Sequence, residues 1–232
     1  MVQNIGLTRS PKLARGALVQ LVDSVIGIEP SFVPFQYNPT MLSVSIAPFN
    51  PTEVEQSGRG QIAPTSQPFE PKRTITAEIE LDATDQLADE ELVAKAVGVG
   101  DRLAALEQLL MPSEGLIGEL ISAVGTLTGN PPPPKRSSVP IALLILGASR
   151  ILPVRVTSYS AEESLFLPSL DPLMAKVSLS FEVLTPDVFR CESGPSVELA
   201  RATYNFYQVQ QSALAVAHNA RNAAKALSLM PF

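Results

Sequence analysis

The stretch Phe35-Gln36-Tyr37-Asn38-Pro39-Thr40 decides how this chain is interpreted, because it ends one apolar alternating segment just before another begins. Asparagine tolerates tight-turn conformations, whereas Pro39 fixes its own φ and disfavours a helical conformation at Asn38. The stretch therefore predicts a strand that ends sharply and a second strand that begins at once, at Leu42.

Alternation of apolar and polar residues predicts further strands on both sides of this turn. The apolar density between Ala17 and Ile28 predicts a strand, and Gly27 and Pro30 predict a turn into the strand that reaches Tyr37. These two strands are expected to form a hairpin. Downstream, strands with one polar face are predicted at Leu42, Val44 and Ile46 and at residues 74–81, and further strands at 139–146, 151–165 and 173–184.

Between residues 85 and 111 the apolar spacing changes to that of a helix. Gly98 and Gly100 are expected to separate two helical pieces. Residues 116–128 are ambiguous, and the prolines at 131–134 form either a stiff polyproline spacer or an exposed loop. The first piece is expected to present Leu87, Leu92, Val93 and Ala96 on one face, and the second Leu103, Leu106, Leu109 and Leu110.

A long helix is predicted from Ser196, which is expected to cap it, to Met230, since no Pro or Gly interrupts these residues. Its apolar residues form a seam at a spacing of three and four residues. Two interpretations stay open: the seam packs on its own domain, or it packs on another chain or a sibling helix. The seam residues are Leu199, Ala202, Phe206, Val209, Ala213, Val216, Ala220, Ala223 and Leu227.

A second segment with two interpretations is the long loop from Pro48 to Pro71, which is rich in Pro, Gln, Ser and Gly. Long loops inside compact domains are often functional, so a partner contact and a plain surface loop are both open.

Composition narrows the classes of function. The 232 residues are 45% hydrophobic, enough to bury a core, and the formal net charge is −6. Residues 70–120 hold 4 Lys or Arg against 12 Asp or Glu, a net of −8, whereas the remainder carries +2. No basic face is available to neutralise a row of phosphates, which argues against nucleic-acid binding. No apolar run approaches the ~20 residues that a helix needs to cross a bilayer.

Residues for catalysis are equally scarce. His218 is the only histidine, so one chain forms neither a histidine metal cluster nor a Ser-His-Asp triad. Cys191 is the only cysteine and forms no intrachain disulfide; it is expected to be a small, partly buried residue. Gly98-Val99-Gly100 lacks the Gly-Lys-Ser/Thr of a phosphate loop. The sequence predicts a protein that is not an enzyme and that needs no cofactor or metal.

The ordered pattern of these segments resembles the N-terminal domain of tube and baseplate adaptor proteins of phage-tail-like contractile injection systems. The resemblance covers residues 14–186 and omits the LysM module that many members carry after this domain. It rests most specifically on Phe35-Gln36-Tyr37-Asn38-Pro39. It also rests on Thr74-Ile75-Thr76-Ala77-Glu78-Ile79-Glu80-Leu81, on the helix at 103–110 and on the strand segments 139–143, 154–160, 165–168 and 175–181.

The resemblance implies an α+β fold: a tail-tube-like antiparallel β-barrel or sandwich with an inserted helix and a long C-terminal helix. The implied organisation is an arm at 1–13, a β domain at 14–190 with a helical insert at about 85–130 and a Pro-rich loop at 131–138, and the helix at 195–232. Such proteins form a ring, usually six-fold, between a spike-bearing hub and the inner tube. They are assembled in the bacterial cytoplasm into a particle that is then released or anchored in the envelope.

The implied partners are further copies of the chain, a spike or hub protein, an inner tube protein and baseplate wedge proteins, without nucleic acid or direct membrane insertion. Two alternatives stay open: a tube-end or cap-proximal ring of the same machine, and a module that binds an envelope component or cargo. Arg150 and Arg155 are expected to pair with the acidic 70–120 segment of a neighbour. The residues expected at interfaces are Phe35, Tyr37, Asn38, Pro39, Phe49, Arg59, Arg150, Arg155, Phe206, Val209 and Val216.

Overall fold

A computed structural model describes residues 16–24, 27–36, 38–50, 63, 65–111, 127 and 139–228. Seven of its strands form one antiparallel sheet in the order β2-β1-β5-β6-β7-β4-β3. The α+β class and the predicted strands are confirmed. The strands are β1 (Ala17–Ser24), β2 (Gly27–Pro34), β3 (Met41–Ala47), β4 (Lys72–Asp82), β5 (Ile141–Ile145), β6 (Ile151–Phe166) and β7 (Pro172–Val183).

The expectation was a β-barrel or sandwich, and the structure corrects it. The sheet is not closed into a barrel, and the described strands form one sheet instead of the two of a sandwich. Among the described residues the edge strand β2 pairs with β1 alone, and the edge strand β3 pairs with β4 alone. Pro30 does not form the predicted turn but lies within β2 opposite Leu21, and Pro34 ends the strand. Because proline has no N–H to donate to a ladder, both prolines suit an edge, and a further strand on β2 would lack these donors.

The two edges of the sheet are nevertheless joined by a short piece of chain. Pro34 and Met41 are seven residues apart, and an extended chain covers at most about 25 Å over that distance. In a flat seven-stranded sheet the edge strands would lie about 29 Å apart, six spacings of about 4.8 Å. The sheet must therefore curl enough to bring these two strand ends within about 25 Å of each other. The prediction of a second strand soon after the first is confirmed, and these two strands are the opposite edges of the sheet.

Three short helices follow β4 in place of the two predicted helical pieces: α1 (Thr84–Ala88), α2 (Leu92–Val97) and α3 (Gly100–Gln108). The additional break lies at Glu90, whose φ of 60° interrupts the helical path. This break shifts the phase of the helix, so the predicted face through Leu92 and Val93 is wrong: Leu92 is 83% exposed, and Ala94 is buried instead. The second predicted face is confirmed, since Leu103, Leu106 and Leu109 are buried and Leu110 packs against them.

The break predicted at Gly98 is confirmed and has a steric cause. Gly98 has a φ of 57°, and a Cβ atom there would lie 2.1 Å from the carbonyl oxygen of Pro172. The next residue, Val99, donates its N–H to that same oxygen at 2.9 Å. The backbone between α2 and α3 thus lies directly against the start of β7, where only glycine leaves enough room.

The core lies between one face of the sheet and the helices α2 and α3. β4 and β7 contribute strict alternation, with every second side chain buried. The buried leucines of α3 recur at a spacing of three residues, as expected for one side of a helix that faces a core. The strand contribution includes Ile75, Ala77, Ile79 and Leu81 from β4 and Ala175, Val177, Leu179, Phe181 and Val183 from β7.

The long helix α4 (Pro195–Ser228) packs on its own domain through a face that differs from the predicted seam. Val197 and Ala200 form a small cluster with Phe189, and Tyr204 and Tyr207 join the main core. The helix contacts β6, β1, β5 and β2. From residue 212 to residue 221 every side chain is exposed, so the outer half of α4 extends away from the described part of the domain.

The first turn of α4 is held by a residue from β1. The Asp23 carboxylate accepts hydrogen bonds from the Ser196 N–H at 3.0 Å and from the Ser196 hydroxyl at 2.7 Å. The prediction that Ser196 itself caps the helix is therefore wrong: Ser196 is buried within the first turn, and Asp23 provides the acceptor. A carboxylate at this position is also stabilised by the positive end of the helix dipole.

Candidate protein–protein interface

The connection between β2 and β3 begins with a buried residue. Phe35 donates its N–H to the Gly16 carbonyl at 2.9 Å, and its side chain is only 2% exposed. A Cβ atom on Gly16 would lie 2.5 Å from the Phe35 ring, so the ring packs directly on the glycine backbone. Phe35, which was expected at an interface, is therefore a core residue whose ring is covered within this chain.

The side chain of Gln36 pairs with the backbone of Asp82 as a neighbouring strand would. Its Nε2 donates to the Asp82 carbonyl at 2.7 Å, and its Oε1 accepts from the Asp82 N–H at 3.0 Å. Arg102 on α3 donates to the same Oε1 at 2.5 Å. The amide thus forms the two hydrogen bonds that a neighbouring peptide group would form. Sequence reasoning missed this role; an amide between Phe35 and Tyr37, next to a predicted strand end, was the available signal.

The rest of the connection is fixed on both sides. Asn38 accepts a hydrogen bond from the Gly16 N–H through its Oδ1 at 3.2 Å, and Thr40 donates its N–H to the Glu78 carbonyl at 3.2 Å. Asn38 is exposed and Pro39 is half-buried. Tyr37 lies outside the described residues.

A surface groove of about 330 Å³ opens beside this connection, and it contains one cation. Arg150, in the turn between β5 and β6, is exposed, and among the described residues no carboxylate forms an ion pair with it. We call this feature the Arg150 groove. Its lining residues are Gly16, Asn38, Pro39, Leu42, Leu146, Gly147 and Arg150.

Arg155, the second arginine expected at an interface, lies apart from the groove. It is exposed on β6 and lies opposite Glu182 of β7. Glu182 forms its ion pair with Lys72 instead, at 3.0 Å. Arg59 lies outside the described residues.

The edge strand β3 exposes the apolar face that was predicted. The sequence Met41-Leu-Ser-Val-Ser-Ile-Ala47 contains neither a charged residue nor a proline. Val44 and Ile46 are about half exposed, at 49% and 50%, and Met41 is also exposed. On the side away from β4 no strand pairs with β3 within the described part of the chain. The opposite edge, β2, differs because it contains Glu29, Pro30 and Pro34.

The seam of α4 is exposed along its described length. Phe206, Val209 and Val216, which were expected at an interface, are among its exposed large apolar residues, with Val209 68% exposed. The tyrosines on the other side anchor the helix: Tyr204 donates its hydroxyl hydrogen to Glu70, and Arg73 donates to the Tyr207 hydroxyl at 2.6 Å. Burial, followed by the bond to Glu70, raises the pKa of Tyr204 to about 12.

Only the ends of the long loop are described. Phe49 is half-buried, and its ring meets that of Phe69 edge-to-face at 6.5 Å between centroids. Gln67 accepts a hydrogen bond from the Phe49 N–H at 3.0 Å and holds the two ends together. Residues 51–62 and the polyproline segment at 131–134 lie outside the described residues, as does the arm at 1–13.

Features of an active centre are sparse in the described ranges. Cys191 is exposed, which corrects the expectation of partial burial, and His218 lies exposed on α4 beside Asn222. Across the described residues no three His, Cys, Asp or Glu side chains are grouped to hold a metal ion. None of the described helices combines the length and apolarity that crossing a membrane requires.

Comparison with known proteins gives no relative: no protein-family model and no curated protein matches the chain.

Proposed function

We propose that this chain is a structural, ring-forming adaptor of a phage-tail-like contractile injection system, which joins the spike or hub to the inner tube and the surrounding baseplate. The proposal rests on the resemblance carried by residues 14–186, including a tail-tube-like character of the sheet. Its mechanism is mechanical: a stiff ring links neighbouring components and performs no reaction. Its partners are further copies of the chain and the hub, tube and wedge proteins.

The observation that carries this proposal is the difference between the two edges of the sheet. Soluble proteins usually protect an exposed edge strand with charge, proline or a covering element, because an unprotected edge pairs with other chains. β2 follows this rule through Pro30 and Pro34, whereas the seven residues of β3 contain neither proline nor charge. An edge of this kind supports a subunit whose β3 is covered in an assembly.

The exposed seam of α4 supports a second contact of the same kind. Phe206, Val209 and Val216 follow one side of the helix and are 44%, 68% and 67% exposed, and no described element of the chain covers them. Single exposed apolar residues are ordinary on a protein surface, but a continuous strip along a helix is typical of an interaction surface. We therefore assign β3 to contacts within the ring and α4 to contact with a neighbouring component.

The proposal is tested by the mass of the purified protein in solution, measured by light scattering alone and with candidate hub and tube proteins. We expect a multimer, six-fold in the simplest case, formed alone or on the hub. Val44→Lys should reduce multimer formation at least tenfold, because it places a charge on the unprotected edge. Phe32→Lys is the matched control on β2, since Phe32 is also exposed, and it should leave the mass unchanged.

A monomer that binds neither partner would contradict the adaptor role and would favour the alternative of a module that binds envelope or cargo. Multimers that form equally well with Val44→Lys and Phe32→Lys would remove β3 from the interface while leaving the ring itself standing.

A further inference from the structure

Two complementary surfaces of this chain are exposed, and no other described residue of the chain covers them. The first is the Arg150 groove, whose walls include the apolar side chains of Pro39, Leu42 and Leu146 around one guanidinium group. At about 330 Å³ it has the size of a small ligand pocket, which is room for a few side chains but not for a folded element.

The second surface is an acidic ridge, which we define as Asp89, Glu90, Glu91, Leu92 and Val93. All five residues are exposed where α1 gives way to α2. Leu92 is 83% and Val93 55% exposed, so two apolar side chains project beside three carboxylates. Within the described ranges only Glu90 forms an ion pair, with Lys95 at 3.4 Å.

The ridge matches the groove both in apolar side chains and in charge. Leu92 and Val93 offer the apolar side chains that the groove walls would cover, and Asp89 and Glu91 offer carboxylates to the unpaired Arg150. A guanidinium group binds a carboxylate through two parallel hydrogen bonds, which adds orientation to charge attraction. The charge distribution agrees, because residues 70–120 carry a net charge of −8 and the remainder of the chain carries +2.

We propose that the acidic ridge of one copy docks in the Arg150 groove of a second copy, with Glu91 or Asp89 bound by Arg150 and Leu92 covered by the groove walls. Both surfaces are exposed in the same chain, so the contact forms between copies. The contact joins two different surfaces of neighbouring copies. Repetition of such a contact gives a closed ring when the rotation between successive copies adds up to a full turn. The inference rests on the proposed function, for which it names the contact between neighbouring copies.

Charge reversal provides a test in which the two variants complement each other. Arg150→Glu places a carboxylate against the ridge, and Glu91→Arg places a guanidinium group against the groove, so each variant alone should be a monomer where the wild type is a multimer. In an equimolar mixture every groove of one variant meets an opposite charge on the ridge of the other. We expect the mixture to regain at least half of the wild-type multimer, with the two variants in equal amounts.

Two controls separate this pairing from a general effect of net charge. Arg190→Glu and Glu192→Arg change the charge by the same amounts at exposed positions outside α4 and outside both surfaces, and they should leave the multimer unchanged. Circular dichroism and thermal unfolding check that all variants fold. The wild-type multimer should also weaken between 0.1 and 1 M salt, because the Debye length falls from about 10 to about 3 Å.

Each outcome has one meaning. Rescue in the mixture supports the contact, whatever the size of the multimer. Folded single variants that assemble like the wild type, or single variants that fail and show no rescue when mixed, overturn the contact but leave the adaptor role standing. A wild type that stays monomeric alone and with the candidate hub and tube proteins overturns the contact and the proposed function together.

Discussion

Gln36 binds Asp82 as a neighbouring strand would, through one donated and one accepted hydrogen bond to the same backbone residue. A single side-chain amide thereby joins the connection between the two edge strands to the end of β4. Arg102 binds both groups, at 2.5 Å to the amide oxygen and at 3.3 Å to the Asp82 carbonyl, so α3 is tied to the same point.

Replacing Gln36 should destabilise the fold because it removes the acceptor of the Asp82 N–H and one of the two donors to the Asp82 carbonyl. We expect Gln36→Ala to lower the free energy of unfolding by about 1–3 kcal/mol, the usual cost of leaving partly buried polar groups unpaired. Gln67→Ala is the matched control, since Gln67 is exposed and its hydrogen bonds, to Phe49 and Phe69, lie at the two ends of the long loop. Urea unfolding followed by circular dichroism measures both, and equal effects of the two substitutions would contradict the bridging role of Gln36.

Alanine substitutions at Gly98 and Gly147 distinguish the energetic cost of a positive φ from the cost of a steric clash. Both have a positive φ, of 57° and 77°, but only Gly98 faces the Pro172 carbonyl, whereas a Cβ on Gly147 meets nothing within 4 Å. We expect Gly147→Ala to cost about 1–2 kcal/mol, the conformational penalty alone. Gly98→Ala should cost at least twice as much in thermal unfolding experiments, and a similar loss for both would show that the chain relaxes freely at Gly98.

Acidic substitutions in the seam of α4 should separate assembly from folding. Val209→Asp combined with Val216→Asp should abolish incorporation into the ring. The free energy of unfolding should change by only about 0.5 kcal/mol per site, because both side chains are exposed. Leu214→Asp is the control, since Leu214 is also an exposed apolar residue and lies about 140–160° around the helix from both valines. Normal incorporation of the double variant, measured by co-purification with the hub or tube, would count against a docking role for the seam.

The raised pKa of Tyr204 predicts a loss of stability in alkaline solution. In the unfolded chain this hydroxyl ionises near its ordinary value of 10, whereas in the folded protein it stays neutral up to about 12. Between these values the unfolded state releases a proton that the folded state retains, so stability is complete below pH 10 and falls as pH rises towards 12. Denaturant unfolding at several pH values should show a shallower decline for Tyr204→Phe, and an identical decline would contradict this assignment.

The spacing of apolar residues and the positions of glycine and proline were sufficient to predict most of the secondary structure. Alternation located β3, β4 and β7, and the uninterrupted apolar spacing after Gly194-Pro195 located α4. The buried leucines of α3 also followed from spacing alone. These features depend on residues within one element, so a local pattern contains the information that decides them.

Features that depend on distant residues did not follow from the pattern. The Asn38-Pro39 turn predicted two strands that follow each other in the chain but not their places in the sheet, because strand order depends on long-range pairing. In the structure these strands, β2 and β3, are the opposite edges. The cap of α4 comes from Asp23, which no local rule connects with Ser196. Likewise, the exposure of Leu92 follows from the break at Glu90. Glu90 has a positive φ although it is not a glycine, so the sequence contains no signal for this break.

The cap that Asp23 provides also sets an order of events during synthesis. Asp23 and Ser196 are 173 residues apart, so a ribosome translating about 5–20 residues per second needs about 10–30 seconds to pass from one to the other. Throughout that interval the nascent sheet lacks the helix that packs against β1, β5 and β6, and the apolar side chains meant for that contact are open to chaperones. A subunit therefore acquires its last layer only after all seven strands have been made.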